Sequence, residues 1–333
     1  KHYALYGAVE AGRDYNTVDM SHLRMYNQYF PPYRAAAEAG AGSFMSSFNI
    51  VDGVPATANK WLLTDVLRRQ WKSDAFVVTD YGSIGEMVVH GVGDIASSSA
   101  QALKAGTDMD MCSEGFLKTL DGSVKSGNVS MADIDTACRR VLEAKYKLGL
   151  FQNPYKYCDK KRRAKDVLTK ENRIAARNMA AETFVLLKND NHLLPLKREG
   201  KIALIGPLAN NRANMEGTWS VAAVPDQYST LKEAFEKAVA GKAEILYSHG
   251  CNLTADSNLQ KAAYFDKPLP RVDDAKMKAE AMEMAAKADV IVCAMGECSD
   301  MTGESSSRIN IEMPDVQHEL LMQLASLGKP IVL

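Results

Sequence analysis

The chain has 333 residues, 46% of them apolar, and its 40 basic and 41 acidic residues give a net charge of −1. This length suggests two or three domains, each able to bury a core. The balanced charge, without a long basic stripe, argues against nucleic acid as a partner. A membrane partner is not expected either, because no apolar run reaches the roughly 18–20 residues that a spanning helix requires.

Six cysteines are spread along the chain, and no two of them form a C-x-x-C pair. This spacing excludes zinc ribbons and thioredoxin-type redox chemistry. Cys112, Cys138 and Cys293 lie in apolar segments and are expected to be small buried side chains. The first residue is Lys rather than Met, so we expect the sequence to start inside a longer gene product.

The first 150 residues alternate short β-rich runs with helical runs. The predicted strands are residues 1–3, 43–48, 76–80 and 107–112, and the predicted helices are residues 21–39, 60–71 and about 95–105. This alternation indicates parallel strands joined by helical crossovers. Polar residues lie at three strand ends, Lys1-His2, Asn49 and Asp80, where a (β/α)₈ barrel has its active site.

A second α/β pattern follows a helix predicted at residues 130–148, which Ser130 and Asp133 open as a capping box and Gly149 closes. Residues 151–170 are typical of an exposed linker, and a further helix is predicted at 171–187. The later predicted strands are 201–206, 244–247, 289–295 and 330–333, and the later predicted helices are 231–239, 273–287 and 314–327. This pattern indicates a mostly parallel, doubly wound sheet.

Asp80 is the first candidate for chemistry, because it ends an apolar strand and precedes Tyr81-Gly82-Ser83. A carboxylate at the carboxyl end of a barrel strand faces the active site. The alternative is that Asp80 caps the following helix, which is common after a βα turn. Lys1 and His2 offer a cation and an imidazole donor that suit sugar hydroxyls. Their spacing alone, however, does not indicate a function for the pair.

Two further pairs of residues each allow a functional and a structural interpretation. Met45 and Phe48 could form an apolar platform for a sugar, but in a strand such residues are more often core. Glu297 and Glu304 flank a polar loop, CSDMTGESSSR, of the kind that binds ligands at the carboxyl end of a parallel strand. Glu304 could instead form a surface ion pair with Arg308 at i, i+4 spacing. A dinucleotide enzyme is disfavoured, since the glycine-rich G-x-G-x-x-G pattern is lacking after strand 201–206.

Several long motifs in the right order resemble glycoside hydrolase family 3, especially its bacterial β-glucosidase branch. KHYALYGAVEAGRDYN resembles the family's Lys-His strand, FVVTDYGSI its nucleophile motif and ALKAGTDMDM its last barrel strand. ETFVLLKNDNHLLPL with KIALIGPLAN resembles the start of the second domain, and GESSSRINIEMPDVQHELL the acid/base loop. The resemblance covers nearly all of the chain.

The resemblance implies an α/β fold in which a partial TIM-type (β/α)₈ barrel precedes an α/β sandwich domain with a mostly parallel sheet. Residues 1–150 would be the C-terminal half of the barrel and carry the nucleophile. Residues 151–200 would be a linker, and residues 201–333 a truncated sandwich domain that carries the acid/base. A whole barrel needs eight strands, and four are predicted here, so both ends of the sequence are expected to be cut.

The resemblance gives Asp80 the position of the catalytic nucleophile and Glu304 that of the catalytic acid/base, with Glu297 as the nearby competitor. The family commonly has Tyr in place of Phe48, and that hydroxyl usually hydrogen-bonds the nucleophile. Its loss here implies a less firmly oriented Asp80. The family's Asp and Arg on early barrel strands would lie upstream of Lys1.

The same resemblance implies the substrate-binding residues. Lys1, His2 and Met45 fall on positions that line the glycone subsite, and Tyr81 follows the nucleophile, where the family has an aromatic residue or His. N-acetylglucosaminidases of the family carry a Lys-His-Phe-Pro-Gly-His-Gly loop. The sequence YALYGAVE after His2 argues against that subtype.

The implied activity is that of a retaining, exo-acting β-glycosidase that releases terminal non-reducing β-D-glucosyl residues through a covalent glycosyl-enzyme. Such an enzyme needs two carboxyl groups about 5–5.5 Å apart, one ionised and one protonated. Asp80, near Lys1 and His2, suits the ionised role, and Glu304, on a loop partly shielded from water, suits the protonated one. No metal or organic cofactor is needed.

Three alternatives stay open: a β-xylosidase of the same family, a non-catalytic carbohydrate-binding relative, and a fragment whose cut sheet edges pair with other chains. The expected partner is a β-linked oligosaccharide or glycoside substrate, and a homodimer is left open. The resemblance implies a periplasmic or secreted bacterial enzyme.

Overall fold

The computed structural model describes residues 1–217, 219–261 and 269–333 and divides into two units. Unit 1 comprises Lys1–Thr183 and unit 2 comprises Phe184–Leu333. Among the described residues, none of the helices combines the length and the apolar character that crossing a bilayer would take.

Unit 1 consists of short strands and longer helices. Its strands are β1 Thr17–Val18, β2 Ser43–Met45, β3 Ile50–Val51, β4 Val54–Pro55 and β5 Phe76–Val78. Its α-helices are α1 His22–Arg24, α2 Phe30–Glu38, α3 Ser83–Val89, α4 Ile95–Ala105, α5 Gly115–Lys125, α6 Met131–Lys147, α7 Arg162–Asp166 and α8 Lys170–Glu182. Met25–Tyr29 and Trp61–Gln70 are π-helical, so the chain is helical without interruption from α1 to the end of α2.

Four extended segments of unit 1 lie side by side in parallel, in the order in which they occur along the chain. β2 pairs with β5 over three residues. Tyr3 forms a parallel bridge to Ser46, and Val78 forms one to Met109. All four predicted strands therefore take part in parallel pairing, the first and the last through single bridges. Helices connect them, which is the βα order of part of a barrel.

A small sheet of order β1-β3-β4 was not predicted. β1 pairs with β3 in parallel, and β3 with β4 in an antiparallel hairpin. The turn of that hairpin is Asp52-Gly53, both at positive φ of 51° and 76°. An Asp-Gly pair between β-branched residues is a strong hairpin signal, so the hairpin was visible in the sequence, whereas strands of two residues are too short for periodicity to detect.

Tyr3 is the centre of the unit 1 core and fixes the chain next to His2. The Tyr3 ring is fully buried, and its edge-on neighbours include Tyr33, Phe44 and Trp71. The Tyr3 hydroxyl donates a hydrogen bond of 3.0 Å to the Leu62 carbonyl oxygen. Burial raises the pKa of this phenol well above its usual value, which keeps it a neutral donor.

A buried ion network ties α6 and the Trp61–Gln70 helix to the strand ends. Asp108, with a side chain 1% exposed, accepts hydrogen bonds from Arg68 at 2.6 Å and Arg140 at 2.8 Å. Its Oδ2 atom also accepts from the Val77 backbone N–H at 2.8 Å. Burial lowers the pKa of the Arg68 guanidinium, and the Asp108 carboxylate opposes that shift. Asp108 therefore compensates the charges of Arg68 and Arg140 and also accepts a hydrogen bond from the backbone of β5.

Replacing Asp108 with Asn is expected to destabilise unit 1 by about 3–5 kcal/mol, because Arg68 and Arg140 would keep their charges without a buried counterion. Urea denaturation of both proteins measures the change in the free energy of unfolding. Asp74→Asn is the matched control, since the Asp74–Lys147 pair is exposed on both sides, and surface pairs contribute little. Equal stability of the two variants would contradict a structural role for the network.

Unit 2 has one parallel sheet covered on both faces. Its strands are β6 Gly200–Ile205, β7 Ala243–Ser248, β8 Val290–Cys293 and β9 Ile331–Val332, in the order β7-β6-β8-β9. Its α-helices are α9 Leu231–Val239, α10 Ser257–Lys261, α11 Asp274–Lys287 and α12 Asp315–Ala325. All three strand pairs are parallel, as predicted.

The two faces of the unit 2 sheet follow from alternation along the strands. Ala203 and Ile205 of β6 pack with α11 and α12, whereas Ile202 and Leu204 pack with α9. Alternate side chains along β6 thus contact helices on opposite faces of the sheet. This is the α/β sandwich expected for the second half.

Gly206 lets the ends of β6 and β8 approach closely. Its φ is 134°, and a Cβ atom there would lie 2.2 Å from the Ala294 carbonyl oxygen. No other residue fits between these two strand ends. The contact fixes the start of the loop that follows β8, the loop that carries Glu297 and Glu304.

Among the other differences from the sequence predictions, two have a local physical reason. Of the three cysteines expected to be buried, Cys293 is buried but Cys112 and Cys138 are exposed, because Cys112 lies beyond the last strand bridge and Cys138 on an outer face of α6. Helix α8 ends at Glu182, earlier than predicted, where Thr183, Phe184 and Val185 bring β-branched and aromatic side chains of lower helix propensity.

Candidate active site

Asp80 lies two residues beyond β5, at the carboxyl end of that strand, and is 8% exposed. The neighbouring segment holds its backbone on both sides: Thr79 N–H donates to the Met109 carbonyl at 2.9 Å, and Gly82 N–H to the Met111 carbonyl at 2.8 Å. Gly82 has a φ of 72°, which a glycine adopts without strain. The turn therefore presents the Asp80 carboxylate from a fixed backbone.

His2 is the side chain that meets Asp80. The His2 Nε2 atom lies 3.2 Å from Asp80 Oδ2, while Asp80 Oδ1 accepts a 2.7 Å hydrogen bond from the Tyr81 backbone N–H. An ionised carboxylate can only accept, so Nε2 is the donor in this pair. Both oxygens of Asp80 thus face a donor, and each donor stabilises negative charge on the carboxylate.

The capping alternative for Asp80 is wrong. Helix α3 begins at Ser83, its N-cap residue is Gly82, and no side chain caps it. The Asp80 carbonyl oxygen, rather than its carboxylate, accepts from the Ser83 N–H at 3.1 Å. The carboxylate is directed to His2 and is left available for chemistry.

The other predicted sugar-binding residues of unit 1 differ in exposure. Lys1 is exposed and precedes His2, whose carbonyl oxygen accepts a hydrogen bond from the Tyr33 hydroxyl. Met45 is half-buried and pairs with Val78 in the register of β2 and β5. Tyr81 follows Asp80 and is 59% exposed. The pairing of β2 with β5 thus places Met45 near the end of the strand that precedes Asp80. His2 belongs to the same site because it contacts the Asp80 carboxylate.

Phe48 is buried and packs with the half-buried rings of Tyr6 and Tyr15. Its ring centroid lies 4.9 Å from that of Tyr15 and 6.0 Å from that of Tyr6, and the Tyr6 ring contacts the His2 ring edge-on at 5.3 Å. The core interpretation of Phe48 is therefore confirmed, and the platform interpretation is not. Through Tyr6, these rings contact the His2 imidazole.

A buried hydroxyl chain connects β2 to the turn that holds Asp80. Thr57 Oγ1 lies 2.9 Å from Ser46 Oγ and 2.7 Å from Ser83 Oγ. Ser46 directly follows β2, and Ser83 begins α3, three positions after Asp80. All three hydroxyls are buried. Two adjacent strand ends are thereby joined beneath the candidate site.

In unit 2, Glu304 lies on the loop that follows β8. It is half-buried, and its Oε2 atom accepts a 2.5 Å hydrogen bond from the Trp219 indole N–H. Arg308 pairs with Glu297, and its other amino group contacts the Met301 sulfur at 3.3 Å. The predicted surface pair of Glu304 with Arg308 is wrong, because the i, i+4 rule applies to helices and this segment is not helical.

The pairing of Arg308 separates the two candidate glutamates. The Arg308 guanidinium forms its ion pair with Glu297. Glu304 instead accepts a hydrogen bond from the neutral indole N–H of Trp219. Glu297 is therefore engaged in an ion pair within the loop, which distinguishes its surroundings from those of Glu304.

Trp219 is a residue that the sequence analysis missed. It is one of three tryptophans in the chain, the others being Trp61 and Trp71, and it is 59% exposed. A tryptophan in a polar stretch such as TWSVAAVPDQYS could have been noticed, because exposed indoles frequently mark binding surfaces. What the sequence could not give was its partner, which lies 85 positions away.

Both units are thus α/β structures with mostly parallel sheets, and each carries a candidate carboxylate beyond the carboxyl end of a strand. The model of the glycosyl hydrolase family 3 N terminal domain matches residues 1–144, and that of the family 3 C-terminal domain matches residues 184–333. The chain belongs to glycoside hydrolase family 3.

Relatives and solved structures agree with this assignment. The chain is 43% identical to a periplasmic beta-glucosidase of Salmonella typhimurium and 31% identical to a beta-xylosidase of Formosa agariphila, in each case over 100% of its own length. A crystal structure of a beta-glucosidase from Listeria innocua in complex with glucose matches 99% of the chain with a TM-score of 0.84 and 36% identity. The chain spans 44%, 46% and 43% of these three proteins, respectively.

Proposed function

We propose that the protein is a retaining, exo-acting β-glycosidase that hydrolyses terminal non-reducing β-D-glucosyl residues, with Asp80 as nucleophile and Glu304 as acid/base. The observation that carries the proposal is the Asp80 carboxylate, buried at a strand end with His2 Nε2 3.2 Å away. A buried carboxylate whose two oxygens each face a donor is held in one orientation, as a nucleophile requires.

In the first step, an Asp80 oxygen attacks the anomeric carbon while Glu304 gives its proton to the glycosidic oxygen. The bond from the anomeric carbon to the leaving group breaks, the alcohol departs, and the sugar stays bound to Asp80 as an ester. The Tyr81 N–H on Oδ1 and His2 on Oδ2 keep both Asp80 oxygens oriented during the attack.

In the second step, Glu304, now ionised, takes a proton from water. The water oxygen attacks the anomeric carbon, the ester bond to Asp80 breaks, and the sugar leaves with its original β configuration. Two inversions at one carbon give net retention. All proton transfer is assigned to Glu304, and no redox partner is required.

We assign glycone binding to Lys1, His2, Met45 and Tyr81. Lys1 supplies donors for sugar hydroxyls, His2 supplies an imidazole edge, and Met45 and Tyr81 supply apolar and aromatic surface. His2 has two roles in this scheme, because its contact with Asp80 also orients the nucleophile. The partner is accordingly a β-linked oligosaccharide or an aryl or alkyl glycoside.

The alternative glycone is xylose, which the Formosa agariphila relative supports through its name, beta-xylosidase. The higher identity to the Salmonella typhimurium beta-glucosidase favours glucose. Xylose lacks the hydroxymethyl group of glucose. A single methylene already changes specificity by about 10–200-fold, so the two glycones should be clearly distinguished.

A pair of matched substrates tests the activity and the glycone together. We expect kcat/KM for 4-nitrophenyl β-D-glucoside to exceed that for the β-D-xyloside by about tenfold or more. A reversed ratio would make the protein a xylosidase. Absence of turnover of both glycosides, with glucose binding retained, would support the non-catalytic carbohydrate-binding alternative.

We also propose a periplasmic or secreted location, which the name of the Salmonella typhimurium relative supports. Fractionation of cells that express the full-length protein tests this. Enzyme activity in the cytoplasmic fraction alone would contradict it. Light scattering of the same material distinguishes a monomer from a homodimer.

A further inference from the structure

Gln317 is a fully buried polar residue in the first turn of α12, the helix that follows the loop with Glu304. Its amide makes three hydrogen bonds. Oε1 accepts from the Gly296 N–H at 2.8 Å, and Nε2 donates to the Gly296 carbonyl at 2.7 Å and to the Leu253 carbonyl at 2.7 Å. Both donor hydrogens of the side chain are used.

These bonds join the two ends of one loop. Gly296 lies just beyond β8, where the loop begins. Gln317 lies in the first turn of α12, just after the loop ends. The Gln317 side chain therefore holds the beginning and the end of the loop together. The third bond, to Leu253, attaches this junction to the segment after β7.

Between these ends, Glu304 depends on side-chain ties for its position. Residues 302–314 form no helix or strand. Ser306 Oγ donates to the Asp300 carbonyl at 2.9 Å, Ser299 N–H donates to Asn214 Oδ1 at 2.8 Å, and Arg308 pairs with Glu297. These contacts hold the middle of the loop, and the two bonds between Gln317 and Gly296 hold its two ends together.

We propose that Gln317 is a positioning residue for Glu304: by clamping Gly296 to the start of α12, it sets where the loop delivers the acid/base carboxyl. The inference rests on the proposed function of Glu304. Gln317 is buried and lies away from the loop tip, so it acts through the loop and does not touch the substrate. Its contribution is to the geometry of proton transfer.

This role has a kinetic signature that simple folding support lacks. A misplaced acid slows the departure of poor leaving groups, which need a proton, and has little effect on activated ones, which leave as anions. A displacement of about 1 Å in a catalytic group can cost roughly a hundredfold in rate. The loss should therefore grow as the pKa of the leaving alcohol rises.

The experiment uses Gln317→Met, which keeps the length of the side chain and removes all three hydrogen bonds. The control is Gln323→Met on the exposed face of the same helix. We expect kcat/KM of Gln317→Met to fall by about 10–100-fold on methyl β-D-glucoside and by less than about threefold on 2,4-dinitrophenyl β-D-glucoside. Gln317→Asn, which keeps the amide group on a side chain one methylene shorter, is expected to lie between Gln317→Met and wild type, and it serves if Gln317→Met does not fold.

Equal losses on both substrates, or none, in a folded Gln317 variant would overturn the proposal and leave Gln317 with a structural role. Glu304→Ala is measured alongside. If Glu304→Ala shows the leaving-group dependence and the Gln317 variants do not, the positioning role alone fails. If Glu304→Ala lacks it too, the assignment of Glu304 fails as well.

Discussion

Asp80→Asn is expected to lower kcat/KM of the full-length protein by about 10⁴-fold or more on every β-glucoside. The amide has nearly the same shape, so Oδ1 can still accept from the Tyr81 N–H and the turn should stay intact. What is lost is the negative oxygen that attacks the anomeric carbon, and removal of a covalent nucleophile typically has effects of this size. Steady-state assays with an activated aryl glucoside measure it.

Asp74→Asn is the control for that experiment. Asp74 is exposed and pairs with Lys147 at 2.5 Å, a contact that holds the pKa of the Asp74 carboxyl below its usual value. The control makes the same chemical change in the same unit, away from His2, and should leave turnover unchanged. Activity of Asp80→Asn within tenfold of wild type would refute its role as nucleophile.

Glu304→Ala is expected to lower kcat/KM by about 10²–10⁴-fold on glucosides with poor leaving groups, because general acid catalysis commonly contributes that much. On an activated aryl glucoside the first step proceeds, and the glycosyl-enzyme accumulates because no base assists water. Added azide should then restore turnover by attacking the anomeric carbon and releasing Asp80. The product would be β-glucosyl azide, which chromatography can identify.

Glu297→Ala distinguishes the two glutamates of the loop. Because Glu297 pairs with Arg308, its removal should loosen the loop without removing the base, and azide should give no rescue. Rescue of Glu297→Ala, with none for Glu304→Ala, would show that the acid/base has been assigned to the wrong residue.

The sequence predicted the elements whose ends carry local signals. Helices α4 and α9 begin and end as predicted, since Asp94 and Thr230 cap them through side-chain hydrogen bonds and Gly106 closes α4 with a φ of 115°. The capping box of Ser130 and Asp133 is also present. Such signals act within a few residues, and a single sequence displays them directly.

The contacts that define the candidate site are not local, and the sequence could not supply them. His2 and Asp80 are far apart in the sequence, and they meet because β2 pairs with β5 on one side and Ser46 bridges to Tyr3 on the other. The partner of Arg308 depended on whether residues 304–308 are helical. Gln317 gave no sign in the sequence, because a polar residue in the first turn of a helix is usually exposed.

Covalent trapping of the nucleophile is the most direct test of the account. The full-length protein is incubated with a 2-deoxy-2-fluoro-β-D-glucosyl fluoride, which slows hydrolysis of the ester more than its formation, and is then digested and sequenced by mass spectrometry. We predict one added fluoroglucosyl group, on Asp80 in the peptide that contains FVVTDYGSI. A label on any other carboxylate, or turnover of aryl glucosides with inversion and no label, would contradict the central claim.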